Sequence, residues 1–369
     1  MSAPIKAPFI AAALLAATST SALAEYRWET SGGGSFQFYG QFDPAYLSFD
    51  DGVSTKDGIV DNTNSNSRVG IWFRQPTDNG EFAINLESSF GLRPSAGMTQ
   101  GFTPDAANWR RTNIRKVEAI WKSDQYGTFF LGQGSMSSDS AANKDLSGTT
   151  LVLYNSIPDT AGAFRFRTTA GALTTKTIAQ AFGSFDGGRK GRIRYDTPAY
   201  KGFKLSVSYG EEVLAKNVNQ EVTDVGIHYA RQIGAYKLAG GLAYSHNEFG
   251  NGTKRRDTIG SFSALHDSGW NVTVAAGDRR ETGHYVYGKI GYQADWLAAG
   301  KTALAIDYYS GQDKTSAGSE SDSVGIGVVQ NFDRARVQAY LGYRQYSLNE
   351  TGVTYRDASS VMFGARWQF

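Results

Sequence analysis

From residue 361 onward the chain reads VMFGARWQF, with Val361, Phe363, Ala365 and Trp367 alternating with Gly364, Arg366 and Gln368. A period of two predicts a strand whose two faces meet different surroundings. The same alternation returns throughout the chain. It runs through Val337/Ala339/Leu341/Tyr343, Val324/Ile326/Val328, Leu304/Ile306/Tyr308, Trp270/Val272/Val274, Leu238/Leu242/Tyr244 and Val225/Ile227/Tyr229. It continues in Phe203/Leu205/Val207/Tyr209, Phe82/Ile84/Leu86, Val69/Ile71/Phe73 and Phe36/Phe38/Gly40/Phe42. No window of helical period matches these in strength.

The connections alternate too. Short ones at 75–80, 198–202, 232–235, 267–269 and 331–334 take turns with longer polar ones at 50–66, 92–110, 247–255 and 311–320. This predicts hairpins with tight turns at one end and long loops at the other, about 16 strands in all, an even number as bacterial outer-membrane barrels have. Open sheet edges cannot be satisfied in lipid, so a sheet with a greasy outer face closes on itself. The alternative all-β readings are a soluble sandwich or a propeller. Against them, Tyr, Trp and Phe gather near the strand ends of the greasy face, and the opposite face carries Arg, Lys, Asp, Glu, Gln and Gly. The expected fold is therefore all-β, a transmembrane antiparallel barrel with a wet interior.

Composition narrows the chemistry. There is no cysteine among 369 residues, so neither disulfides nor thiolate metal sites operate. Nothing after residue 24 is apolar for long enough to cross a membrane as a helix. A formal charge of +2 gives no basic excess for nucleic-acid binding. Residues 1–24, with Lys6, an apolar run from Phe9 to Ala17 and Ala22-Leu23-Ala24, predict a secretory signal cleaved before Glu25. Export through that signal and a barrel of strands together point to the outer membrane.

Ser67-Arg68-Val69-Gly70, the run from Gly127 to Gln133, the run from Arg192 to Pro198 followed by Lys201-Gly202-Phe203, then Ser208-Tyr209-Gly210 and the terminal Phe369 resemble the Gram-negative general (trimeric) porins. The resemblance spans essentially the whole chain after residue 24. It implies a homotrimer in outer-membrane lipid and lipopolysaccharide. It also implies that Phe369 is an assembly signal read by the barrel-assembly machinery, and that a loop between the fifth and sixth strands folds into the pore. That slot is residues 136–188, where the alternation lapses, and residues 151–160 are expected to lie inside. Its acidic candidates for the constriction are Asp139, Asp145 and Asp159; Asp186 is among its other charges.

Parity supplies the facing wall. Arg68 and Arg74 flank Val69, Ile71 and Phe73, and Arg192 and Arg194 flank Ile193 and Tyr195, so all four are expected to point inward. By resemblance Arg68 belongs to a basic eyelet cluster, and Arg115 takes a second place in it. Val117, Ala119 and Trp121 share the parity of Arg115, so its side chain reaches the lumen only across a bulge. Gln133 stands where many relatives carry another arginine. Over the whole inner wall, Lys204, Lys237, Lys289, Arg336, Arg344 and Arg366 join these arginines. They outnumber Asp43, Glu87, Asp224, Asp257 and Asp307, which predicts a basic lumen and a weak anion preference.

Other chemistries are poorly served. His228, His246, His266 and His284 are scattered singly, which is no metal site, and no cofactor motif occurs. An outer-membrane barrel enzyme is the remaining alternative, and Asn247-Glu248 beside His246 is its one hint. The reading that results is no enzyme and no cofactor. It is a water-filled pore for ions and small hydrophilic solutes, with a channel selective for one solute, such as a sugar or phosphate, as the second reading.

Overall fold

A computed structural model describes residues 26–280 and 282–369; the expected signal, residues 1–24, lies outside them. Among the described residues, sixteen antiparallel strands close into a barrel. The first is a continuous path made of Ser35–Phe42 and Pro44–Asp50, and the second is made of Thr55–Asp61 and Arg68–Thr77. Gly80–Ser89, Ile114–Ser123 and Gly127–Ser135 follow. After the long loop come Arg189–Asp196, Phe203–Glu211, Gln220–Ile233, Tyr236–Phe249, Lys254–His266 and Trp270–Arg279. Gly283–Leu297, Gly300–Gln312, Glu320–Phe332, Val337–Glu350 and Ala358–Gln368 complete the wall.

Closure joins the last strand to the first, from Ser359 opposite Asp50 to Gln368 opposite Gln41. Phe369 extends the ladder by one rung, its N–H donating to the Gly40 carbonyl at 3.0 Å and its carbonyl accepting from the Gly40 N–H at 2.9 Å. Beyond that point Tyr26–Glu29 pairs with Ser35–Phe38 and covers the edge that the last strand leaves.

The two faces follow the parity of the sequence. Leu131 and Ile193 are 62% and 65% exposed on the outside, whereas Arg192, one residue away, is 4% exposed. At the short-turn end the outer face carries cross-strand aromatic pairs: Phe36 with Phe73, Phe129 with Tyr195, Phe203 with Tyr229, and Trp270 with Tyr292, at ring separations of 4.6 to 5.0 Å. Such a girdle suits the membrane interface, where an apolar ring body and a polar rim are both accommodated.

Two parts of the wall depart from expectation. Residues 50–66 are not one loop: the turn takes only 51–54, and Thr55–Asp61 is strand. Pairing then jumps from Pro44 opposite Asp61 to Gln41 opposite Arg68, so residues 62–67 bulge away from a partner that offers only Phe42 and Asp43. Asp61 pins the base of this excursion by accepting the Ser67 N–H at 3.0 Å, and Asn62 caps its single helical turn. The second departure is the interior, which is not polar all round. Leu47, Phe49, Tyr285, Tyr309, Tyr346 and Met362 point inward and pack with Leu151, Leu153, Ile157, Phe164, Phe166 and Phe182 of the long loop.

That loop fills the interval between Ser135 and Arg189, and it is fastened by backbone groups to a rail of inward side chains. Ser208, Ser261 and Ser263 accept the N–H groups of Ser137, Lys144 and Leu146 at 2.8 to 2.9 Å, while Ser321 donates to the Ala181 carbonyl. Where the loop lies flat on the wall, the wall residue is glycine. A Cβ on Gly325 would sit 2.7 Å from Leu153, and one on Gly327 would sit 2.8 Å from Val152. The farther part of the loop, with the hairpin Arg165–Arg167 and Leu173–Thr177, reaches the other long loops: Arg167 pairs with Asp51 at 2.7 Å, and the Thr169 N–H donates to Thr354.

Candidate functional site

The excursion at 62–67 and the long loop approach one another across a cavity of about 520 Å³. Asn64, Ser65, Asn66, Arg68 and Arg115 line it from the wall, and Asp139, Tyr154, Asp159 and Asp186 line it from the loop. Arg189, the first residue of the strand after the loop, lines it as well. Three guanidinium groups and three carboxylates thus share one cavity.

Each wall arginine is held by a local reason. Pairing between Gly80–Ser89 and Ile114–Ser123 shifts from Glu87 opposite Lys116 to Ser88 opposite Ile114, which leaves Arg115 as the extra residue of a bulge. Its side chain reaches the lumen, where Nε donates to Glu87 at 2.6 Å and Nη1 to Asn66 at 3.1 Å. Arg68 shares the same carboxylate at 3.6 Å. Tyr39 adds a hydroxyl donor to Glu87 at 3.0 Å. One carboxylate therefore serves two arginines, and Arg189 makes no ion pair among the described residues.

On the loop, Asp186 organises its own surroundings. It accepts the N–H groups of Ser140 and Ala142 and the side chain of Asn143, each at 2.9 Å. Burial, then the neighbouring Asp139, raises the Asp186 carboxyl to about 7. Asp159 is likewise raised to about 7, by burial and then by Asp186. Burial and the same carboxylates push the Tyr154 phenol well above its usual range. Crowded carboxyls that are partly neutral at neutral pH leave the arginines dominant in the passage.

The other expected site residues lie elsewhere. Asp145 does not reach the cavity, because Lys289 meets it at 2.6 Å in a pair whose side chains are 2% and 0% exposed. Arg192 is buried against Glu118 and donates to the carbonyls of Ser135 and Gly132 at 3.0 and 2.9 Å. Arg194 forks onto Asp196 at 2.7 and 3.0 Å and donates to the Met136 carbonyl. Both arginines fasten the start of the loop. Arg74 donates to Gln37 at 2.7 Å and lies over the Trp72 ring, away from the cavity.

The basic excess along the wall is also smaller than parity counting gives. Lys204 pairs with Asp196, and Arg344 with Asp307 at 2.7 Å. Arg279 and Arg255, two inward arginines outside that count, share the single carboxylate of Asp257 and partly offset this reduction. Arg336 is a turn residue with φ of 53°, since its strand begins only at Val337. Sequence reasoning passed over Glu118 and Asp196 as partners and Arg189 as a lining residue. Parity counted from Arg192 turns Arg189 outward; its place at the base of the loop turns it to the cavity. The Gly187-Gly188 pair before it was the available signal of a break in the alternation.

Solved structures share the barrel fold. The anion-selective porin from Comamonas acidovorans superposes with a TM-score of 0.60 at 16% identity, over 91% of this chain and 100% of that one. The outer membrane channel DcaP of Acinetobacter baumannii gives 0.58 at 11% identity, over 93% and 99%. Salmonella typhi OmpF gives 0.54 at 14% identity, over 92% and 99%. No curated protein matches the sequence. The family model for Gram-negative porins matches residues 11–351, and with sixteen strands around a water-lined passage the chain belongs to that family, a channel for passive diffusion across the outer membrane.

Proposed function

We propose that the cavity between the excursion at 62–67 and the loop at 136–188 is the throat of the pore, and that it passes small hydrophilic solutes with a weak preference for anions. The observation that carries this reading is the imbalance inside the cavity. Arg68 and Arg115 divide a single carboxylate, Arg189 has none among the described residues, and two of the three facing carboxyls are raised to about 7. Charges lining a narrow aqueous path act over about 8 to 10 Å at moderate salt, comparable with the half-width of such a pore, so the bias is mild and salt-dependent. Hydration water and solutes pass without any bond being made or broken. The similarity to a porin named for anion selectivity supports the direction.

The chain works as a homotrimer in outer-membrane lipid and lipopolysaccharide, a reading supported by the similarity to a Vibrio cholerae outer membrane protein solved in trimer form. Residues 1–24 direct export, and Phe369, paired with Gly40 where the barrel closes, is the feature that the assembly machinery reads. Purified protein in a planar bilayer with a KCl gradient tests the throat. A reversal potential of the anionic sign that moves toward zero in Arg189→Ala is expected. Cation preference that persists after Asp139, Asp159 and Asp186 are neutralised would overturn the assignment.

A further inference from the structure

Two non-glycine residues with left-handed backbones flank the Asp186 carboxylate, and a third precedes Lys314. Ser140 has φ of 69° and Phe185 has φ of 59°, and they are the residues on either side of the Asp186 clamp. Asp313, with φ of 57°, turns the chain just before Lys314 in the connection between Gly300–Gln312 and Glu320–Phe332. A bulky residue such as Phe holds that conformation only where its surroundings over-determine it. Around Phe185 the determinants are identifiable. The Lys314 Nζ sits 3.3 Å from the centre of its ring, the Arg279 guanidinium 4.1 Å away, and Tyr285 meets it edge-on at 5.7 Å.

Lys314 also donates to the Gly183 carbonyl at 2.7 Å, and the Tyr309 hydroxyl donates to the same oxygen at 3.2 Å. The segment bearing Lys314 is itself tied down. Lys176 donates to the Thr315 carbonyl at 2.9 Å and pairs with Glu350 at 3.0 Å, and Glu350 accepts from Thr315 and Ser316. A continuous set of contacts therefore runs from the 313–319 connection through Lys314 to Gly183 and Phe185. It ends at Asp186, which lines the cavity.

We infer that Lys314 is a positioning residue for the throat: from a different long loop, it holds Phe185 in its strained backbone and thereby fixes where Asp186 stands across from the arginines. The inference rests on reading the cavity as the throat. Arg279 alone does not suffice for this, because its guanidinium is also committed to Asp257 at 2.6 and 3.0 Å. Lys314 is the contact that grips both the ring and the carbonyl two residues before it.

Single-channel recording of the full-length protein decides the matter with Lys314→Met, Lys314→Arg, Phe185→Gly and the Lys314→Met/Phe185→Gly double variant. Lys314→Met is expected to fluctuate between conductance levels and to shift the reversal potential in a KCl gradient, while Lys314→Arg restores the steady wild-type level. Once Phe185→Gly has relieved the strain and removed the ring, adding Lys314→Met should change clearly less than it does alone, leaving only the part carried by the Gly183 carbonyl. Steady, wild-type pores from Lys314→Met, or additive effects in the double variant, would overturn the inference. Failure of the wild-type protein to conduct would instead bring down the throat assignment itself.

Discussion

The buried pair between Lys289 and Asp145 makes the docking of the long loop testable. Lys289 Nζ reaches Asp145 at 2.6 Å, Ser147 at 3.2 Å, Thr149 at 3.3 Å and the Leu153 carbonyl at 2.5 Å, so one ammonium gathers four loop oxygens. Lys289→Met keeps the length of the side chain and removes the charge. The Asp145 carboxylate is then left buried without its cation, a loss of about 3 to 5 kcal/mol when one partner of such a pair is removed. Divided by about 1.4 kcal/mol per decade, that is a shift of roughly two to three and a half decades in the equilibrium between docked and detached loop.

The barrel ladder contains none of these bonds and should persist. The expected result is a protein that still migrates as a folded, heat-modifiable barrel but conducts with large fluctuations and a raised mean conductance. Adding Asp145→Leu replaces both partners by apolar groups, and the steady pore should return. The recovery falls short by about 1 kcal/mol because Asp145 also accepts the Ser147 N–H at 2.7 Å. Wild-type conductance from Lys289→Met, or a double variant as noisy as the single one, would refute the idea that this pair seats the loop.

Ion preference should depend on pH in a definite direction. The carboxyls of Asp159 and Asp186 are raised to about 7, so lowering the pH from about 8 to about 6 removes negative charge from the throat and moves the reversal potential further toward the anionic side. An Asp159→Asn/Asp186→Asn variant should lose that dependence across the same window, and an unchanged pH profile would count against the throat assignment. Deleting Phe369 should lower the yield of heat-modifiable barrel far more than Trp367→Phe does, since Phe369 supplies the two hydrogen bonds to Gly40 as well as an aromatic ring; equal yields would remove the argument. Unheated samples should migrate at about three times the monomer mass, and a monomer by light scattering in mild detergent would contradict the trimer.

The wall of this barrel is legible in its sequence because lipid imposes one rule on every outward side chain. Ile193 and Leu131 obey it whatever their neighbours do, and a period of two follows. The inner face answers to more than one partner, which is why parity counting misjudged it. Gly325 and Gly327 look like polar-face residues in a wet lumen, yet they are small because Leu153 and Val152 lie on them. Tyr285 and Tyr309 are inward and apolar for the same reason. The excursion at 62–67 left no periodic trace, because six polar residues between two strands read as an ordinary loop. Arg115 needed a bulge that only the register with Glu87 and Ser88 reveals.

The pairing of charges explains why selectivity can reside in one short stretch of a long pore. A wall arginine facing bulk-like water would attract anions along its whole depth, and the field would be spread thin. Here Glu118 takes Arg192, Asp196 takes Arg194 and Lys204, Asp307 takes Arg344, and Asp145 takes Lys289. A buried pair of that kind presents almost no net field to a passing ion. Those same cations hold the loop by its carbonyls: Arg192 and Arg194 at Ser135 and Met136, Lys289 at Leu153. Lys289 is thus electrically silent, whereas Glu118, Asp196 and Asp257 each face two cations, and in the proposed throat the excess falls on Arg68, Arg115 and Arg189. On the proposed throat, the cations that seat the loop and those expected to bias permeation are different residues, although in the sequence both sets sit among similar alternating strands.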